Sequence, residues 1–206
     1  GGLLRLEYYR IDLEDLIVTP DDPELIRRGF THENVGSGRN QGLDVMAVAR
    51  LGRFNTQLAY GLLFATRTNP LNTRYATEVA PPQDQRHTLQ LSADYQLFAH
   101  WRVTAKYAFH PGRPVSTVDV GDASAETIEL TCLNCDRLGP THNFDMRVEW
   151  RRAYRRYRLT FYLELLNIGN IRSQFLPIHD VIDGELSTTT LNHLPMRPFL
   201  GLRADF

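Results

Sequence analysis

What most limits the fold of this chain is an alternation of apolar and polar residues that continues, nearly unbroken, through most of its length. In "RHTLQLSADYQLF", Leu89, Leu91, Ala93, Tyr95 and Leu97 fall on one side, and Thr88, Gln90, Ser92, Asp94 and Gln96 on the other. The stretch "WRVTAKYAFH" sets Trp101, Val103, Ala105, Tyr107 and Phe109 against Arg102, Thr104, Lys106 and His110. "FNTQLAYGLLF" places Phe54, Leu58, Tyr60, Leu62 and Phe64 together, and "NFDMRVEWR" sets Phe144, Met146, Val148 and Trp150 against Asp145, Arg147, Glu149 and Arg151. "YRLTFYLEL" opposes Tyr157, Leu159, Phe161, Leu163 and Leu165 to Arg158, Thr160, Tyr162 and Glu164. A period of two means strand, because successive side chains point to opposite faces. With the segments near 3–18, 27–51 and 196–206 added, about eight strands are expected, several of about ten residues or more, against about five or six in ordinary soluble sheets. The first of them, "LLRLEYYRIDLEDLIV", alternates least cleanly and changes phase near Tyr8.

Strands of this length suit a bilayer, which a tilted strand crosses in about 9–11 residues. The connections alternate in the same sense. Short turns are expected at Gly52-Arg53, Ala99-His100 and Arg155-Arg156, and long connections near 19–26, 67–85, 111–142 and 170–195. Short turns at one end and long loops at the other is the pattern of an outer-membrane barrel, with the short set facing the periplasm. Phe54, Trp101, Trp150, Tyr154, Tyr157 and Phe206 collect near the short turns, and Phe64, Phe109 and Phe144 near the long connections. Two such belts match the two interfaces of a membrane. The expected fold is therefore all-β, an antiparallel transmembrane β-barrel. Leu91, Tyr95, Val103, Tyr107, Leu159 and Phe161 should face lipid. Gln90, Asp94, Arg102, Lys106 and Glu164 should face the lumen, with Asp44, Arg50, Asp145, Arg147 and Glu149 forming charge pairs there or contacting a plug. A soluble β-sandwich or ligand-binding barrel would bury the apolar face instead.

Composition narrows the partners. The 206 residues carry 42% hydrophobic content, enough for one unit over 1–206, and 23 Lys+Arg against 24 Asp+Glu. That balance lacks the basic excess that drives binding to nucleic acid. The local run "RRAYRRYR" is read instead as a tight turn whose arginines, Arg151 to Arg158, reach lipid phosphates or the lumen. No apolar run is long enough for a membrane-spanning helix. The chain opens "GGLLRLEYY" without an initiator Met, which is read as a cut from something longer.

With the strands placed, their ends resemble those of the C-terminal part of the barrel in TonB-dependent outer-membrane receptors. The matching pieces are "ENVGSGRNQGLD" (Asn34, Gly36, Gly42, Leu43, Asp44), "DQRHTLQLSADY", "HPGRPV", "NFDMRVEW", "LELLNIGN" ending at Asn170, and the close "LPMRPFLGLRADF". The last is similar to the family's terminal assembly signal, carried here by Leu200, Gly201, Leu202, Ala204 and Phe206, although Ala204 stands where the family often has a second aromatic. The resemblance implies a segment of a roughly 22-strand barrel, with the plug domain and TonB-box segment absent. It also implies TonB-dependent uptake of a scarce nutrient such as a metal chelate, cobalamin or glycan. Its partners would be outer-membrane lipid, the barrel-assembly machinery and, through the missing plug, TonB. A complete eight-stranded barrel is the alternative, since eight strands suffice for closure.

Cys132 and Cys135, in "ELTCLNCDR", fall in a long connection on the extracellular side. That route is oxidising, so a disulfide is expected. His32, His87, His110, His142, His179 and His193 map to the same side, where, gathered with the cysteines, they could ligate cargo. Asp84 with His87, or His142 with Asp145, could form a carboxylate-imidazole pair, though no serine is tied to either by motif. No enzyme, cofactor or metal centre is expected.

Overall fold

The computed structural model describes residues 1–20, 26–29, 31–72, 78–121 and 127–206. The strands are, in chain order, β1 (Gly2–Val18), β2 (Glu33–Leu51), β3 (Phe54–Thr68), β4 (Glu78–Val79), β5 (His87–Phe98), β6 (Trp101–His110) and β7 (Pro114–Val120). They continue with β8 (Ile128–Arg137), β9 (Thr141–Ala153), β10 (Arg158–Leu166), β11 (Gln174–Ile182), β12 (Glu185–Asn192) and β13 (Arg197–Asp205). One sheet runs β1-β2-β3-β5-β6-β9-β10-β13, every neighbouring pair antiparallel, and β4 adds to the end of β3. These eight strands are the ones the alternation anticipates. The turns at 52–53, 99–100 and 155–156 close hairpins at one end, with Gly52 taking the left-handed conformation that a tight turn requires.

Two of the long connections carry structure of their own. β7 and β8 pair as a hairpin within 111–142, and β11 and β12 as another within 170–195. Both segments read as loops in the sequence because neither sustains apolar-polar alternation: Pro177 lies within β11, β12 is mostly polar in "LSTTTLN", and β8 is interrupted by a bulge around Asn134, itself left-handed.

Register keeps each face intact across the sheet. Leu51, Phe54, Tyr95, Val103, Val148, Leu163 and Leu200 stand opposite one another in turn from β2 to β13. The adjacent row is Arg50, Asn55, Asp94, Thr104, Arg147, Glu164 and Phe199. A slip of one residue in any pair would mix the two. The irregular alternation at Tyr8 is not a bulge, because pairing with β2 is unbroken from Gly2 to Leu13 and shifts only between Leu13 and Ile17. With the register unbroken, the residue types exchange faces: Tyr9, Ile11 and Leu13 fall on the face of Arg5 and Glu7, Arg10 and Asp12 fall on the face of Leu6 and Tyr8, and the Tyr9 ring fills the space a Cβ on its partner Gly42 would need.

Burial is inverted relative to a water-soluble sheet. Among the described residues the buried apolar side chains are Ala65, Val181 and the prolines Pro20, Pro81 and Pro114, whereas Asn72, Asp84, Glu149, Thr160, Asn167 and Ser173 are buried polar ones. The apolar row is open: Tyr95 is 44% exposed, Phe161 46%, Leu202 63% and Leu200 85%. An exposed, continuous apolar face with polar groups packed behind it is what lipid on one side and an aqueous lumen on the other produce. This excludes the soluble barrel, which needs the apolar face inside. β1 and β13 are not paired with each other, so the sheet is open and not a closed eight-stranded barrel.

Candidate functional site

The end of the sheet bearing the long connections is built around one carboxylate. Asp84, 1% exposed, lies in the "PPQDQR" segment that returns the chain to β5. Its Oδ1 accepts the Ala65 N–H at 3.0 Å, and its Oδ2 meets the Arg137 guanidinium, with Arg86 Nε at 3.6 Å. Arg137 Nη1 also donates to the Asp84 carbonyl at 2.6 Å and to the Gly112 carbonyl at 3.3 Å. A Cβ on Gly112 would collide with the Leu138 carbonyl, so only glycine allows β7 and β8 to close this near their base. Asn134 Nδ2 donates to the Ala80 carbonyl at 2.9 Å, and the Asn134 N–H to Ser116 Oγ at 3.1 Å. The β7–β8 hairpin is thereby tied to the 80–84 segment at both its base and its bulge.

The second hairpin is tied on in turn. Arg113 Nη2 donates to the Phe175 carbonyl at 2.9 Å, with its guanidinium 5.7 Å from the centre of the Phe175 ring. Asn167, at the end of β10, is buried and left-handed; its side chain donates to the carbonyls of Ile171 and Leu194 and accepts from the Ile171 N–H. Its own N–H donates to Asp145 Oδ1 at 2.8 Å. "LNIGN" is thus the joint at which the chain leaves the sheet for β11. Between the two hairpins lies a cavity of about 390 Å³, lined by His110, Arg113, Thr141, Gln174, Phe175 and His193 among others.

The histidines and cysteines do not gather. His87 pairs with the Tyr60 hydroxyl and His142 with that of Tyr107, each at 2.8 Å, and His179 with Thr188 at 3.0 Å. Tyr60, His87, Tyr107 and His142 all lie on the apolar face, as two tyrosine-histidine pairs. His110 and His193 share a cavity, and among the described residues no group of three or more His, Cys, Asp or Glu could hold a metal. Neither carboxylate-imidazole pair forms. Asp84 is taken by Arg137, and Asp145 by Asn143 and the Asn167 N–H. Cys132 and Cys135 lie within β8, not in an open loop; the bulge brings their Cα atoms to 5.9 Å and their sulfurs into contact.

At the opposite end, Tyr154 and Tyr157 stack at 4.8 Å across the 155–156 turn, and Arg151 turns to the polar face to meet Glu149 at 2.7 Å. In β13, Leu200, Leu202 and Ala204 pair with Leu163, Phe161 and Leu159 on the apolar face. Gly201 lies on the other face beneath the Tyr162 ring, which itself lies 3.8 Å under the Arg147 guanidinium. The space over Gly201 is filled by that ring. Phe206 is fully exposed.

A meander with an apolar outer face, a polar inner face, short turns at one end and elaborated connections at the other is the wall of a transmembrane β-barrel. The profile of the TonB dependent receptor-like, beta-barrel family matches residues 1–168, and the chain belongs to that family, one of outer-membrane receptors. Its fold is similar to the crystal structure of the siderophore receptor PiuA from Acinetobacter baumannii, with a TM-score of 0.65 and 14% sequence identity. That match covers 98% of this chain and 26% of the other, so the chain spans about a quarter of that receptor's length. No curated protein sequence matches. Family and neighbour are receptors and transporters, not enzymes.

Proposed function

We propose that residues 1–206 form one C-terminal portion of the barrel of an outer-membrane receptor for TonB-dependent uptake of a scarce nutrient. The observation that carries this reading is the inverted burial of the sheet, an exposed apolar face backed by paired charges. In the parent protein this portion supplies wall and outer connections. Its apolar face meets outer-membrane lipid, and its polar face lines the lumen against a plug that transmits energy from TonB. The cargo is a metal chelate, cobalamin or glycan. Cells producing the parent protein should accumulate one of these, supplied in labelled form, only when TonB is present. Accumulation that is indifferent to TonB for every cargo tested would count against the reading.

Two features belong to assembly and durability. The row Leu200, Leu202, Ala204 and Phe206, with the free outer edge of β13, is what the barrel-assembly machinery reads, since an unpaired edge can add to another protein's sheet. Cys132 and Cys135 form a disulfide that braces the β7–β8 hairpin on the outside of the cell. Intact-mass measurement of periplasmically routed protein after alkylation should show no modified thiol until a reductant is added; two thiols alkylated without reductant would refute it.

A further inference from the structure

The cavity between the two hairpins has a lining whose chemistry points one way. Its volume of about 390 Å³ suits a small molecule. No carboxylate is among the described residues that line it. Asp84, beside the lining Gln85, is already engaged by Arg137 and the Ala65 N–H. Arg113 has five donors. One goes to the Phe175 carbonyl, the ring of Phe175 flanks the guanidinium, and no acid within ion-pair reach is found for it among the described residues. His110 Nδ1 is buried and has no partner among the protein's own groups, so a water or a ligand group in the cavity would complete it. Thr141, Gln174 and His193 add further donors around the same space.

His110 and Thr141 stand opposite each other on the polar face of β6 and β9, which turns the cavity away from lipid. We propose that it binds a small molecule through its carboxylate groups, Arg113 gripping one carboxylate as a fork while His110, Thr141, Gln174 and His193 serve the others. This rests on the receptor reading only in placing the cavity at the outer mouth of the barrel. A planar guanidinium matches a carboxylate in two parallel hydrogen bonds, which an ammonium does not.

The test uses the full-length parent in detergent, with citrate as the probe and trimethyl citrate, neutral and similar in shape, as the control. Citrate should bind and the ester should not. Arg113→Gln should weaken citrate by about tenfold or more, as expected when a charge-assisted contact is lost, and Arg113→Lys should weaken it less. If Arg113→Gln fails to insert, His193→Gln, at an exposed side chain, carries the test and should weaken citrate severalfold. Equal binding of citrate and its ester, no binding of either, or citrate affinity unmoved by the substitutions would overturn the inference. TonB-dependent accumulation in the same parent would leave the receptor reading standing if this one fell.

Discussion

The two faces of the sheet obey opposite rules. On one, Leu91, Tyr95, Phe161, Leu163, Leu200 and Leu202 lie open, with few partners beyond their cross-strand neighbours. On the other, charges are organised: Arg147 bonds Glu149 at 3.0 Å and approaches Glu164 at 4.0 Å, Arg151 bonds Glu149 at 2.7 Å, and Thr104 donates to Asp94 at 2.6 Å. In a water-soluble protein the first face would be the core and the second the surface. Here the solvent has changed sides. On the proposed receptor reading lipid fills the gaps of the apolar face, so it needs no precise packing, whereas each charge on the polar face needs a partner or water, since an unpaired one is expensive away from solvent.

That contrast predicts unequal responses to the same substitution. Leu163→Arg, with Leu163 40% exposed on the apolar face, should destabilise the parent by about 2–4 kcal/mol if the position lies near mid-bilayer, measured by unfolding from detergent or lipid. Gln90→Arg, on the polar face, should cost far less. Similar losses at both positions would mean that the faces do not see different solvents.

A smaller effect is expected at the end of the same apolar row. Deleting Phe206, or adding several polar residues after it, should lower the amount of parent protein inserted in the outer membrane severalfold without altering the stability of molecules that do insert. Phe206 is fully exposed and touches little beyond the Tyr157 ring at 6.3 Å, so folded-state packing gives it little reason to matter. Unchanged insertion after both alterations would reduce β13 to an ordinary edge strand.

The parts legible in the sequence are those governed by the contrast between faces. Apart from β1, whose pattern changes phase, the long strands of the main sheet follow from period-two alternation, because each residue's face is set locally and repeated over about ten positions. The hairpins β7–β8 and β11–β12 escaped because β12 is nearly all polar, Pro177 sits inside β11, and the bulge at Asn134 breaks the period in β8. The phase change near Tyr8 is real: with the register unbroken, Tyr9, Ile11 and Leu13 fall on the face of Glu7, and Arg10 and Asp12 on the face of Tyr8. The site was less legible still. Asp84 and Arg137 are 53 residues apart and share no motif; only the folded connections bring them together. Asp84 and His87 are close in sequence, yet their side chains serve different partners, because Asp84 is drawn inward by Arg137 and His87 falls on the outward face beside Tyr60. Spacing in sequence says little about sites made by loops.

The most direct test of the inverted sheet is accessibility, residue by residue, in the parent protein reconstituted in lipid with Cys132 and Cys135 replaced. Single cysteines at Leu91, Tyr95, Val103, Tyr107, Leu159 and Phe161 should react with a lipid-soluble thiol probe and resist a charged one. Single cysteines at Gln90, Asp94, Arg102, Lys106 and Glu164 should resist the lipid-soluble probe. Equal labelling of the two sets by the lipid-soluble probe would contradict the membrane assignment.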